Sequence, residues 1–264
     1  MISSLVVALV LPLANCDREE HGITLAGSTS VEPFAERLAE FYAKGHPGIA
    51  INVQGGGSSA GIRAVQNGVC QIGMSSRALT SAEKGLTEIT VAIDGIVAIV
   101  NKSNPIHGLT TEQVRAIFSG EVKSWAEVGG NPRPIVVVTR EDGSGTRASF
   151  EEKVMTGEHD VPLAFAADAL VQDSNGAVRE IVASDPAAIG YISFGLVDER
   201  VRALAIDGVN PTDSTISSGR YPITRRFLFL TRSECDSVAR EFIRYVLSPE
   251  GQQVLRDEGL VSVR

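Results

Sequence analysis

Histidine, cysteine and positive charge are all scarce in this chain. Four histidines and three cysteines in 264 residues leave little material for a metal centre. No His, Cys or carboxylate group shows metal-ligand spacing, so neither a metal nor a cofactor is expected. Lysine and arginine number 24 against 32 acidic residues, a formal net charge of −8. That balance removes the basic surface a nucleic-acid partner requires. It also means that any bound anion must be held by local donors, not by a global positive field. No Gly-x-x-x-x-Gly-Lys-Ser/Thr stretch occurs, which argues against a nucleotide P-loop. Repeats, low-complexity tracts and long linkers are absent too. What remains is 43% hydrophobic and 21% charged, the composition of a globular protein with room for one large domain or two ordinary ones.

One stretch organises the rest: Arg140-Glu141-Asp142-Gly143-Ser144-Gly145-Thr146-Arg147. It follows the β-branched run Ile135 to Val138 and precedes a helical segment, Ala148 to Lys153. Gly143 and Gly145 allow a tight turn and close backbone approach. The first N–H groups of the helix lack intrahelical partners and point into that turn. Ser144, Thr146, Arg140 and Arg147 add donors, whereas Asp142 does not. This is the chemistry of an oxyanion cradle at a helix N-terminus. Gly27-Ser28-Thr29-Ser30 and Gly55-Gly56-Gly57-Ser58-Ser59-Ala60-Gly61 repeat the strand, glycine or hydroxyl turn, helix order. Three such junctions predict helix N-termini converging on one anion.

Taken in order, the chain alternates strand and helix. A strand at 23–26, a helix at 31–44 with Ser30 as its N-cap, a strand at 49–53, a helix at 60–66 and a strand at 71–74 form an α/β unit with a mainly parallel sheet. The run from Thr90 to Val100 is long enough to leave one sheet and enter another. A capping box at Thr110 opens a helix to Phe118. Trp125 follows in a turn, where it reads as packing. Asn175 is expected to cap a helix to Ala183, and 189–192 reads as a strand. Arg226 to Thr231 is the candidate return crossing, with Phe227 and Phe229 as sheet core. Helices at 236–247 and from Ser248-Pro249 close the chain. The architecture expected is two α/β lobes joined by two crossing strands. Residues 22–96 plus 227–264 form one lobe and 97–226 the other, with a ligand between them.

The N-terminus differs. Ile2 to Ala14 is apolar and uncharged, too short to span a bilayer, and reads as a signal peptide over residues 1–15. Leu13-Ala14-Asn15-Cys16 resembles the lipobox of bacterial lipoproteins, although Asn15 stands where a small residue is usual. Export to the periplasm or the outer face of the cell membrane is expected, with a lipid anchor on Cys16. A cleaved secreted form is the alternative. Cys70 and Cys235 are free to pair in an oxidising compartment or to remain buried thiols.

Several motifs occur together in one order: Gly27 to Ser30, Gly56 to Gly61, Ile72-Gly73-Met74-Ser75-Ser76-Arg77, Arg140 to Arg147, Ile189-Gly190-Tyr191 and Tyr221-Pro222-Ile223-Thr224-Arg225. In that order the chain resembles the phosphate-binding lipoproteins of bacterial ABC importers, in their shorter branch, over almost its whole length after the signal. The resemblance implies a type II periplasmic-binding-protein fold closing on inorganic phosphate, an ABC permease as partner, and a monomer that is not an enzyme. Carried over residue by residue, it places Ser28, Thr29 and Ser30 in a first anion loop, and Ser58 and Ser59 jointly in a second. Ser76 stands in a third, where longer relatives carry a proton-accepting aspartate. Arg140, Asp142, Ser144, Gly145 and Thr146 fall in a fourth, with Arg140 as charge partner. With serine at position 76, Asp142 is the expected acceptor of the phosphate proton, and hence the group that rejects sulfate.

Two other readings stay open. A binding protein for sulfate, molybdate or phosphonate would use the same cradle. A serine hydrolase would use Ser59 of Gly57-Ser58-Ser59-Ala60-Gly61 as nucleophile, with Asp142 and His159. Arg77 and Arg225 read as structural arginines, and Arg147 could serve either purpose.

Overall fold

The computed structural model describes residues 21–157 and 161–263. The signal segment, Cys16 and His159 lie outside them. The first six elements are β1 (His21–Gly27), α1 (Glu32–Gly45), β2 (Ile49–Gly55), α2 (Ser58–Gln66), β3 (Ile72–Ser75) and the long β4 (Thr87–Asn101). Next come β5 (Gly108–Leu109), α3 (Thr111–Ser119), β6 (Val136–Arg140), α4 (Gly145–Lys153), β7 (Leu170–Gln172), α5 (Asn175–Ser184) and β8 (Ala188–Ser193). The chain ends with β9 (Val201–Ala203), β10 (Ala205–Ile206), α6 (Asp213–Ser217), β11 (Thr224–Thr231), α7 (Ser237–Val246) and α8 (Pro249–Asp257).

The main sheet runs β2-β1-β3-β11-β4-β8-β6-β7, with β9 also on β4. Its outer strands pair in parallel on both sides, β1 with β2 and β3, β6 with β7 and β8. The middle is antiparallel. The first part of β4, to Gly95, pairs with β11, and from Ile96 onward it pairs with β8. So β4 does leave one lobe and enter the other. The returning chain meets it at the same point, where Ile96 N donates to Ile223 O at 2.8 Å and Thr224 lies opposite Gly95. These two crossings join the lobes.

Packing divides at this crossing. One core is drawn from Ile96 to Ile223 and includes Trp125, whose indole N–H donates to Ala187 O. There Phe150 stacks on Tyr191 at 4.0 Å. The second core uses residues from Ile23 to Ala92 and from Phe227 to Leu260. Consecutive β11 residues are buried because Phe227 and Phe229 enter that core while Leu228 and Leu230 enter a small cluster under α2. A strand covered on both faces reads as a continuous apolar run, which is how this segment looks in sequence. Cys70 and Cys235 are both free thiols, and Cys70 is buried.

Two cap assignments need correction. Residue Val31 precedes α1 without a side-chain cap, because the Ser30 hydroxyl is used between the lobes. Ser174, not Asn175, caps α5 by accepting from Ala177 N, which frees the Asn175 amide for the site. Strands β5, β7, β9 and β10 and helix α6 carry too few residues for a periodicity to be read.

Candidate functional site

Helices α1, α2, α4 and α5 all begin at the lobe boundary, and their first turns converge there. Gly57 precedes α2 with φ +86, and a Cβ on it would come within 3.1 Å of Gly143 O in the other lobe. The lobes therefore touch through glycine backbone: Ser59 N donates to Gly143 O at 3.1 Å. Helix α4 starts at Gly145, earlier than the apolar pattern indicates, with Ser144 as N-cap accepting from Arg147 N. Its first N–H groups, on Gly145 and Thr146, are left free by helical geometry.

Arg140 sits at the end of β6 and is 1% exposed. Glu141 holds its Nε and Nη2, each at 2.9 Å. The carbonyls of Gln172 and Asp173 and the Thr29 hydroxyl accept further bonds. Nη1 alone is buried without a partner among the described residues. A buried guanidinium nitrogen with no acceptor is costly, so Nη1 is a donor available to an anion. Tyr191 supports this strand end: its hydroxyl bonds Thr139 at 2.8 Å.

Hydroxyls line the remainder. Ser28 Oγ donates to Ser76 Oγ at 2.9 Å, Ser76 lies 3.4 Å from Ser58 Oγ, and Ser76 N donates to Ser58 Oγ at 3.1 Å. Ser30 Oγ lies 2.7 Å from Thr146 Oγ1 across the boundary. Ser28, Ser30, Ser58, Ser76, Ser144 and Thr146 are all buried, so the structure brings most of the expected residues to one place.

Two of them are not there. Asp142 has a side chain 93% exposed and pairs with Arg147 at 3.0 Å. It faces solvent because it follows the strand by two residues, where the turn carries it out. Asp142 thus stands outside the buried hydroxyl cluster, where the expected proton acceptor would have to be, and the carboxylate that pairs with Arg140 is Glu141. Ser59 turns away from the cluster. Its N–H is spent on Gly143 O, and its hydroxyl accepts from Arg77 Nη2 at 3.0 Å. An arginine cannot accept a proton from serine, so the Ser59 nucleophile of the hydrolase reading has a donor where a base is needed. Arg147 binds Arg140 O, Asp142 and Glu151, and so braces the turn. Of the two serines in the second loop, the buried one is Ser58.

Arg77 is held in turn by Glu83 through two bonds of 2.7 Å. That pairing draws the Glu83 carboxyl from 4.5 down to about 2. With the folded value below the unfolded one, the contribution is full above pH 4.5 and fades as pH falls toward 2. Solvent screening limits it to about 1 kcal/mol. Glu83→Gln is expected to lower unfolding stability by that amount at neutral pH, with the difference from wild type shrinking below about pH 4 in a urea-unfolding series.

Sequence reasoning missed three contributors. Asn175 is buried at the start of α5; its Oδ1 accepts from Ser193 N, and its Nδ2 donates to Ser30 and Thr29 at 2.9 and 3.3 Å. Arg225, on β11, pairs with Asp94 directly across on β4 at 2.8 Å. Burial pushes the Asp94 carboxyl up and the Arg225 guanidinium down, and each partner's charge opposes the shift. Only the sharp Arg-to-core transition at 225–230 could have signalled that Arg225 is interior.

Among the described residues no group of three or more His, Cys, Asp or Glu could hold a metal, and no helix is long and apolar enough to cross a membrane.

A family model described as the PBP superfamily domain matches residues 15–250. The phosphate-binding protein PstS of Bacillus subtilis (strain 168) is 34% identical over 253 residues, covering 94% of this chain and 82% of the relative. A crystal structure from Clostridium perfringens with bound phosphate, described as that of a phosphate ABC transporter substrate-binding protein, has TM-score 0.88 at 39% identity and covers 92% of this chain and 100% of its own. An ABC-type phosphate transport receptor from Vibrio cholerae has TM-score 0.75 at 39% identity, covering 90% and 99%.

Proposed function

This chain belongs to the PBP superfamily, and we propose from that membership and from its cradle that it captures inorganic phosphate between its lobes and delivers it to an ABC importer. Residues 22–96 with 227–264 and residues 97–226 are the two lobes in this reading. The observation that carries it is the buried, unpartnered Nη1 of Arg140 set among hydroxyls from both lobes. Thr29, Ser58 and Ser76 would contact the anion from one side, and Arg140, Ser144, Gly145 and Thr146 from the other, with Ser28 behind Ser76 and Ser30 behind Thr146. The protein works as a binding protein and not as an enzyme. It is exported, acts as a monomer beside its permease, and is anchored through a lipid on Cys16.

One observation keeps a second substrate in view. Asp142 is exposed and Glu141 is engaged by Arg140, so no free carboxylate lines the cradle among the described residues. A phosphate proton would have to be accepted by the Ser58 or Ser76 hydroxyl, which can reverse direction. Calorimetric titration with phosphate, sulfate and molybdate decides between them. Tight phosphate binding with weak sulfate binding is expected, and Asp142→Asn is expected to leave both affinities within about twofold of wild type, since an exposed carboxylate is screened. Sulfate binding as tight as phosphate would reassign the substrate, and no oxyanion binding would overturn the reading.

A further inference from the structure

Two hydroxyls at the lobe boundary, those of Ser30 and Thr146, are both hydrogen-bonded by Arg225. Each hydroxyl has one hydrogen and two lone pairs. Ser30 Oγ accepts from Asn175 Nδ2 at 2.9 Å and from Arg225 Nη2 at 3.1 Å. Both lone pairs are then occupied, so the hydrogen of Ser30 must go to Thr146 Oγ1, 2.7 Å away. Thr146 Oγ1 also accepts from Arg225 Nη1 at 2.8 Å. With both its lone pairs used, Thr146 has only a hydrogen to offer, at the first turn of α4 where the anion is expected. Thr29 is in the same condition, accepting from Arg140 Nη2 and Asn175 Nδ2. The direction of the Asn175 amide is itself fixed, because its oxygen faces Ser193 N.

We propose that Arg225 is a positioning residue of the anion site, which, braced by Asp94 and aided by Asn175, locks the Thr146 hydroxyl as a hydrogen-bond donor to the bound oxyanion. The inference rests on the functional reading above. Arg225 does this from the crossing point of the lobes, where it pairs with Asp94 across β4 and β11 and reaches Ser30 in one lobe and Thr146 in the other. The donor direction is therefore assembled only when the lobes meet. An electrically equivalent lysine cannot hold Asp94 and two hydroxyls at once, because it lacks the planar fork.

The test is a double-mutant cycle on phosphate affinity, read by calorimetry, with thermal melts of each variant. Thr146→Val is expected to weaken phosphate binding about 30-fold, the loss of one hydrogen bond to a charged group. Arg225→Lys should weaken it about tenfold when Thr146 is present and less than twofold in the Thr146→Val background, because it acts through that hydroxyl. A purely structural arginine would lower the melting temperature and weaken binding by the same factor in both backgrounds, and that result overturns the proposal. If Arg225→Lys fails to fold, the same cycle is run with Ser30→Ala, whose loss frees a Thr146 lone pair, and the same non-additivity is required. Should wild type itself bind no oxyanion, the functional reading falls and this inference with it. Tight wild-type binding without coupling removes this inference alone.

Discussion

Arg140→Gln is expected to weaken phosphate binding on the order of a thousandfold, about 4 kcal/mol, while leaving a folded protein. The size follows from the position of the charge. The guanidinium is 1% exposed, so its attraction for an anion is little screened. Its Nε and Nη2 are committed to Glu141, two carbonyls and Thr29, and Nη1 is the nitrogen left for a ligand. Glutamine removes that donor and the charge together. The fold should survive because Glu141 has a side chain 31% exposed and can be hydrated once it loses its partner. Titration with phosphate, together with circular-dichroism melts, reads both parts. Arg140→Lys is the control for geometry: it keeps the charge but loses the fork, and should recover only part of the affinity. If Arg140→Gln bound within tenfold of wild type, the charge that holds the anion would have to come from elsewhere, and the assignment of this cradle would be wrong.

The main alternation of strands and helices could be read from the sequence because the longer elements carry two or more helical turns or an apolar strand run, which the short β5, β7, β9, β10 and α6 lack. The glycine and hydroxyl junctions were equally readable, since the chemistry of a strand-to-helix turn is local. What could not be read depends on chain segments far apart. Ser30 meets Arg225 across 195 positions and Asn175 across 145, and nothing near Ser30 distinguishes a cap from a bridge. The inward place of Glu141 could not be read for a related reason. Past the end of β6 there is no alternation to say which of two adjacent carboxylates turns inward. Arg225 read as a structural arginine at the end of an element. Its burial becomes apparent only when β4 supplies Asp94 opposite it.

Gly145→Ala is expected to weaken phosphate binding at least about a hundredfold without destabilising the empty protein. Gly145 opens α4 in one lobe, and a methyl group there would overlap Ser58 Oγ and come within 2.6 Å of Ser76 Oγ in the other. The three nearest atoms it meets all lie across the boundary, on Ser58 and Ser76, so the methyl opposes closure more than it disturbs the packing within a lobe. Helix propensity favours alanine over glycine by up to about 1 kcal/mol in a helix interior, so the lobe itself should lose nothing. Phosphate can still reach the open cleft, and its association rate should change little. The closed state becomes harder to hold, so dissociation should accelerate by nearly the whole factor. Stopped-flow kinetics with phosphate separates the two rates, and melts with and without phosphate should show an unchanged empty protein whose ligand-dependent rise in melting temperature has shrunk. Wild-type affinity in this variant would mean that the lobes do not meet at Gly145 when the anion is bound. A fall in association rate alone would place the obstruction on the path of entry, not at the closed contact.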